Sequence, residues 1–176
     1  QNVNIDSTYV SNGLGVVGPD ATLHAYTAAF GGLLSKYRMD LEMAGAGGDG
    51  FLGGLYFPYE DQHIDLRTVQ RHVDPKAHSL TLYKGAVTDE SHSVYQGLIN
   101  VEHDAVSTDA YLTNNNLVLG DDAQADSIPT LEIHTDEVRC SHGSTTGKLD
   151  ESQIFYLKTR GYSPEEAEHL LVQGFF

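Results

Sequence analysis

The sequence predicts a mainly β fold, a solenoid of short stacked strands, followed by a short helical region. Three observations support this prediction. Over residues 2–147, short runs rich in Val, Leu, Ile, Thr and Tyr alternate with Gly, Asn, Asp and Ser. The two-residue signals of β-hairpins are nearly absent from the same residues. After Lys148, the spacing of the apolar residues becomes that of helices.

The strand-like runs have one apolar face and one more polar face. Alternation is clear at residues 64–69, 80–83 and 131–134. Because the coils of a solenoid stack without turning back, short strands joined by small residues favour a solenoid, with a β-sandwich as the alternative. The predicted strands are 33–43, 53–57, 64–73, 79–83, 94–103 and 117–119.

Two polar segments interrupt these strands. Residues 114–116 are three consecutive Asn, which suit a solenoid corner because Asn bonds turn backbone and tolerates the left-handed conformation. An ordinary polar loop fits them equally well. Residues 45–50 are rich in Gly but lack the Lys-Ser/Thr of a phosphate-binding loop and a following helix, so we expect a flexible loop there.

The C-terminal residues predict a helical hairpin. Asp150 is a favoured N-cap for the first helix, whose last turn is basic. Ser163 and Glu166 form the pattern of a capping box at the start of the second. Two short helices cannot bury all their apolar residues, including Phe175 and Phe176, between themselves. We therefore expect part of this surface to dock on the β-body or on a partner.

Composition excludes several classes of protein. The chain has 176 residues, 40% of them hydrophobic, without a long apolar run, so we expect one folded domain and no membrane segment. It has 25 acidic and 10 basic residues, a net charge of −15, which disfavours nucleic acid and anionic lipid as partners. A single cysteine excludes an intrachain disulfide and favours the cytoplasm. Because it begins with Gln1, we expect a piece of a longer protein.

Cys140 and His142 are the main candidates for chemistry. In an extended strand, residues two apart project from the same face, so a thiol and an imidazole would lie together. This pair predicts half of a metal or cluster site, with Glu132, His134 and Asp136 as outer partners. A buried, inert cysteine beside a surface histidine is the competing interpretation.

Other candidate sites are weaker. Asp121, Asp122 and Asp126 do not have the spacing of an EF-hand, and a solvated turn explains them. Ser141 and Ser144 flank the histidine, but no Gly-x-Ser-x-Gly elbow is present and we expect no hydrolase. The nine histidines do not have the spacing of a zincin.

Five stretches, in order, resemble the SufB/SufD family of iron-sulfur cluster assembly proteins. The Cys-Ser-His-Gly sequence at 140–143 is more similar to SufD than to SufB. The resemblance is clear over 78–176 and weaker over 2–73. The five stretches are VYQGLINV (94–101), NNNLVL (114–119), ADSIPTLEI (125–133), VRCSHGSTTGKLD (138–150) and FYLKTRG (155–161).

This resemblance implies a right-handed parallel β-helix core at 1–148 and a C-terminal helical region at 149–176. In the family, the cores of SufB and SufD pair and the helical region binds the ATPase SufC. The expected partners are therefore a SufC-like ATPase and a SufB-like subunit or a second copy of this chain. The helical N-terminal region of full family members is absent from this sequence.

The resemblance also implies residue roles. His142 matches the SufD histidine implicated in building the nascent cluster at the interface with SufB, and Cys140 matches the cysteine of the same motif. Both are candidate ligands of a transient iron-sulfur cluster, and no stably bound cofactor is expected. The candidate contacts to SufC are Phe155, Tyr156, Leu170 and Leu171.

The expected function is that of a non-catalytic scaffold subunit. The chain lacks the Walker sequence Gly-x-x-x-x-Gly-Lys-Ser/Thr, so we do not expect it to hydrolyse ATP. The alternative is a β-helix protein that binds polysaccharide or resembles a polysaccharide lyase, with acidic and Tyr residues facing the sugar. That alternative lacks a recognisable arrangement of Arg or Lys with paired carboxylates.

Overall fold

A computed structural model of the chain describes residues 6–176, so residues 1–5 of the predicted core lie outside the described residues. Ten strands precede two helices. The strands are β1 Thr8–Val17, β2 Thr22–Ala29, β3 Leu34–Met43, β4 Asp49–Tyr56, β5 His63–His72, β6 His78–Val87, β7 His92–Val101, β8 Thr108–Val118, β9 Gln124–Ile133 and β10 Val138–Gly147. The helices are α1 Glu151–Thr159 and α2 Pro164–Phe175.

Successive strands alternate between two five-stranded sheets. The odd-numbered strands form one sheet in the order β1-β3-β5-β7-β9, and the even-numbered strands form the other in the order β10-β8-β6-β4-β2. Side chains bonded between neighbouring turns lie 29 to 31 residues apart. The chain is therefore a solenoid of about five turns, and each turn contributes one strand to each sheet.

Every strand pair is parallel, which confirms the predicted parallel β-helix and excludes the sandwich. A sandwich is built of antiparallel neighbours, whereas parallel neighbours require a crossover such as the rest of a turn. The prediction at 117–119 was wrong in its bounds, because it captured only the end of β8. Its polar first half did not look like a strand.

The interior of the solenoid is filled by alternate residues of both sheets. Leu41 of β3, Leu52 of β4 and Ile99 of β7 are at most 1% exposed and belong to one core cluster. Large and small residues face each other across the turns. A Cβ added to Gly85 would lie 2.0 Å from the ring of Tyr56, so glycine makes room for this buried tyrosine.

The corners are tight turns that stack on one another. At the corners that follow β1, β3 and β5, the residues Asp20, Gly47 and Lys76 have φ angles of 53°, 73° and 60°. A Cβ on Gly45 would lie 2.0 Å from the backbone nitrogen of Pro19 in the preceding corner. The glycines at 45–48 are therefore explained by close stacking of corners, and β4 begins at Asp49.

The three Asn residues lie within β8 and not at a corner, so both the predicted corner and the alternative loop are wrong. Asn114 and Asn116 point into the solenoid and are 0% and 2% exposed. Asn114 Nδ2 donates to the Tyr56 hydroxyl at 2.9 Å, and that hydroxyl donates to Asn116 Oδ1. Asn116 Nδ2 donates to Asn114 Oδ1 at 2.9 Å. Asn115, on the outer face, accepts a bond from Thr145 at 2.8 Å.

Both predicted helices are present with their predicted caps. The side chain of Asp150 accepts a hydrogen bond from Ser152 N at 2.8 Å. Ser163 and Glu166 form the complete capping box, with distances of 2.8 and 3.2 Å. In residues 6–176, no helix is both long enough and apolar enough to cross a membrane.

The end of α2 docks on the β-body, as one of the two predicted outcomes. Lys84 of β6 donates from Nζ to the carbonyl oxygen of Phe175 at 2.6 Å, and its ammonium lies 5.2 Å from the centre of the Phe175 ring. Ala167 of α2 is fully buried. The helical region is thus attached to the outer face of the even-numbered sheet.

Candidate functional site

The predicted pair Cys140 and His142 lies on β10, the last strand of the even-numbered sheet. Its only neighbour in that sheet is β8, with Cys140 opposite Ala110 and His142 opposite Leu112. Neighbours in register share a face of a sheet, and Ala110 and Leu112 are each 1% exposed in the core. Cys140 and His142 therefore share the inner face, as the alternation predicted.

The position of β10 leaves this inner face open. Cys140 is half-buried and packs against the core cluster, whereas His142 is exposed. Along the rest of the solenoid, the next turn covers such positions, but within the described residues no strand pairs with the outer edge of β10. The thiol and the imidazole thus lie at an open end of the solenoid, next to an unpaired strand edge.

The environment of Cys140 keeps its sulfur protonated at neutral pH. Burial raises the pKa of the thiol above its ordinary value, and the negative charge of Asp109 raises it further. A hydrogen bond from the backbone of Ala110 opposes these effects without cancelling them. Cys140 is therefore not an activated nucleophile, and it would lose its proton on binding a metal.

The other three predicted partners do not converge on this pair. Glu132 lies on the outer face of the odd-numbered sheet, where its carboxylate accepts a hydrogen bond from Asn100 at 3.4 Å. The ring of His134 lies 5.3 Å from that of His103 at a corner. Asp136 is exposed at the same corner. The predicted role of these residues as outer partners has no support in the geometry.

Across residues 6–176, no three His, Cys, Asp or Glu side chains come together as a metal site. The acidic run that raised a calcium interpretation is dispersed: Asp121 pairs with Lys148 at 2.7 Å, and Asp126 pairs with His92 at 2.8 Å. Cys140 and His142 are two ligands at most, and a four-ligand cluster site at β10 needs atoms from outside this chain.

The candidate contacts in the helical region form a separate surface. Phe155 and Tyr156 of α1 are 68% and 54% exposed, and Leu170 of α2 is 39% exposed. Leu171 is half-buried. This set of residues is called the helical patch below.

Sequence reasoning missed the buried network of Tyr56, Asn114 and Asn116. The motif of three Asn was visible, but its polar character suggested a surface position. Only the alternation of a strand, with two Asn on one face, could have indicated two buried side chains and an exposed Asn115 between them.

Comparisons with known proteins agree with this architecture. The family model described as "SUF system FeS cluster assembly, SufBD core domain" matches residues 1–175. An iron-sulfur cluster assembly SufBD family protein of Mycobacterium leprae is 39% identical over 179 residues, covering 97% of this chain and 46% of that protein.

Two of the similar proteins are named SufD. The iron-sulfur cluster assembly protein SufD of Escherichia coli is 36% identical over 156 residues, covering 89% of this chain and 37% of that protein. SufD of Bacillus subtilis is 33% identical over 115 residues, covering 65% of this chain and 26% of that protein. The chain thus spans less than half the length of these relatives. The match over nearly all its residues replaces the polysaccharide interpretation, and the chain belongs to the SufBD family of iron-sulfur cluster assembly proteins.

Proposed function

We propose that this chain is a non-catalytic scaffold subunit of the Suf iron-sulfur cluster assembly machinery. Its core pairs with a SufB-like core or with a second copy of itself, and its helical region, 149–176, binds a SufC-like ATPase. The iron-sulfur cluster is cargo that forms at the core interface, where His142 and Cys140 contribute ligands. The complex works in the cytoplasm without contact to nucleic acid or membrane.

The single observation that supports this proposal best is the location of the pair on an unpaired edge strand. The edge of β10 offers a row of free backbone groups to a second strand. Cys140 and His142 lie on the inner face of the same strand, so a partner that pairs there brings its own side chains to them. Pairing of cores and completion of the ligand set are then one event.

The chemistry of the two side chains fits a site for transient binding. Iron-sulfur clusters prefer thiolates, with imidazole as a substitute, and two ligands from one chain cannot hold a cluster alone. The raised pKa of the Cys140 thiol means that iron must displace a proton before the sulfur can bind. His142 is exposed and can approach the same cluster without this step. We therefore assign His142 the larger role.

The helical patch is the surface that we assign to the ATPase. Exposed aromatic and aliphatic side chains grouped on a short helical hairpin are typical of docking surfaces. The contact between Lys84 and Phe175 attaches this hairpin to the same sheet that carries β10. Movement of a bound ATPase would therefore be transmitted to the core directly.

The proposal is tested by assembling the complex with altered chains. The full-length protein is co-expressed with SufB-like and SufC-like partners, and iron and sulfide are added without oxygen. We expect His142→Ala to leave the complex intact and to lower the amount of cluster formed severalfold. The matched control is His134→Ala, an exposed histidine outside the β10 strand. Equal cluster yields in the wild type and His142→Ala would contradict the role of His142.

A further inference from the structure

We propose that the buried side chains of Tyr56, Asn114 and Asn116, called the interior network below, position β10 and thereby the strand that carries Cys140 and His142. These three are positioning residues, since none of them lies at the candidate site itself. The functional meaning of the inference rests on the proposed role of that strand in cluster assembly, whereas the structural link can be tested on this chain alone.

The interior network extends through the solenoid from β4 to β10. The Tyr56 hydroxyl, on β4, bonds both Asn side chains of β8. Asn114 Nδ2 also donates to the carbonyl oxygen of Tyr83 on β6 at 3.3 Å. Asn116 Nδ2 donates to Thr146 Oγ1 on β10 at 3.4 Å. Four successive strands of the sheet are therefore joined by side chains inside the molecule.

The network allows little freedom, because its groups are cut off from water. Tyr56 and Asn114 are 0% exposed and Asn116 is 2% exposed. A buried polar atom that loses its partner has no water to replace it, so each group must keep the orientation in which the others are satisfied. Burial also raises the pKa of Tyr56 to about 12, so its hydroxyl remains a donor at physiological pH.

The strand β10 has few other anchors. Its outer side-chain bonds lie in solvent: Thr145 with Asn115 at 2.8 Å, and Arg139 with Asp109 at 3.1 Å. The side chain of Arg139 in that pair is 85% exposed. Water and salt readily substitute for such surface contacts, which contribute little. The bond from Asn116 to Thr146 is the anchor of β10 that comes from the interior.

An edge strand held from within keeps its geometry before any partner arrives. Cys140 and His142 lie on the same strand and the same face as Thr146. A fixed β10 presents both ligands in one arrangement, which lowers the entropy lost when a partner core completes the site. The interior network would thus preorganise the half-site that this chain contributes.

Cys140 provides a direct probe of β10, because it is the only cysteine of the chain and is half-buried. The rate at which Ellman's reagent labels its thiol reports how often this strand opens. We compare the wild-type chain with Thr146→Val, which removes the interior bond and keeps the shape of the side chain. Thr145→Val is the matched control, since it removes the outer bond on the adjacent, equally exposed residue.

We expect labelling of Thr146→Val to be about fivefold faster than that of the wild type, as expected for one lost hydrogen bond to a buried group. Thr146→Ser retains the hydroxyl and should restore the wild-type rate, and Thr145→Val should stay within about twofold of it. Equal rates for Thr146→Val and Thr145→Val, or no change in either, would overturn the proposal.

A remote variant separates positioning from a local effect. Tyr56→Phe removes one hydroxyl on β4, a strand that does not touch β10 in the sheet. We expect faster labelling of Cys140 and faster amide exchange in β10 than in β6, which lies between them. Uniform acceleration in both strands would mean that the network only stabilises the fold. All these measurements use the chain without partners, so failure of cluster assembly would leave their outcome unchanged.

Discussion

His72 makes the stability of the solenoid depend on pH. It lies on β5, is completely buried, and its Nε2 is 2.8 Å from Ser79 Oγ. Burial lowers the pKa of His72 to about 4, with a further contribution from the nearby His78. The folded protein therefore keeps this imidazole neutral down to about pH 4, whereas the unfolded chain binds a proton below about pH 6.5.

The sign follows from which state binds the proton. Between pH 6.5 and pH 4 the unfolded chain holds more protons, so the free energy of unfolding falls as the pH falls. One pH unit between these limits corresponds to about 1.4 kcal/mol, so the whole loss is about 3 kcal/mol. About 2 kcal/mol of it is lost between pH 7 and pH 5. That is a large fraction of the stability of an ordinary domain.

The assay is urea unfolding at pH 7 and pH 5 for the wild type and for His72→Gln. Glutamine can still donate a hydrogen bond to Ser79 but does not titrate. We expect the wild type to lose about 2 kcal/mol more than the variant between the two pH values. His103→Gln, at an exposed histidine, is the control and should behave like the wild type. Equal pH dependence of wild type and His72→Gln would refute the reasoning.

Three further predictions concern packing, capping and partner binding. Gly85→Ala places a Cβ 2.0 Å from the ring of Tyr56, so we expect a loss of about 3 kcal/mol in thermal unfolding. Ser163→Ala removes the capping box of α2, and we expect amide exchange there to rise about fivefold, for about 1 kcal/mol. Phe155→Asp should abolish binding of a SufC-like ATPase in a pull-down and retain binding of a SufB-like partner.

Each of these has a control within the chain. Gly147→Ala adds a Cβ with nothing within 4 Å and should leave the melting temperature unchanged. Gln153→Asp is an exposed change on the helix that carries Phe155 and should retain ATPase binding. A wild-type melting temperature for Gly85→Ala, unchanged exchange in Ser163→Ala, or ATPase binding by Phe155→Asp would contradict the respective prediction.

Features that depend on neighbouring residues could be predicted from the sequence. Capping at Asp150 and Ser163 involves bonds across two or three residues, and both caps are present. The shared face of Cys140 and His142 follows from strand alternation alone. The parallel solenoid was predicted from the texture of the strands and the scarcity of hairpin signals, and the pairing confirms it.

Features that depend on distant partners could not be predicted. Asn114 and Asn116 are buried because they bond a tyrosine 58 and 60 residues away in the chain. No local pattern shows that such a partner exists, so three polar residues suggested a corner. Glu132 was expected beside the cysteine, but the next strand after a corner belongs to the opposite sheet. Proximity along the sequence therefore did not place these side chains together.

The most direct test of the central claim, that β10 supplies a ligand to the assembling cluster, is pulsed electron paramagnetic resonance. The complex with SufB-like and SufC-like partners is reconstituted with iron and sulfide, reduced, and measured with ¹⁵N-histidine in this chain alone. We predict a ¹⁵N coupling to the cluster that is absent in His142→Ala and retained in His134→Ala. A cluster that forms without any coupling to labelled histidine, or whose coupling survives His142→Ala, would contradict the account.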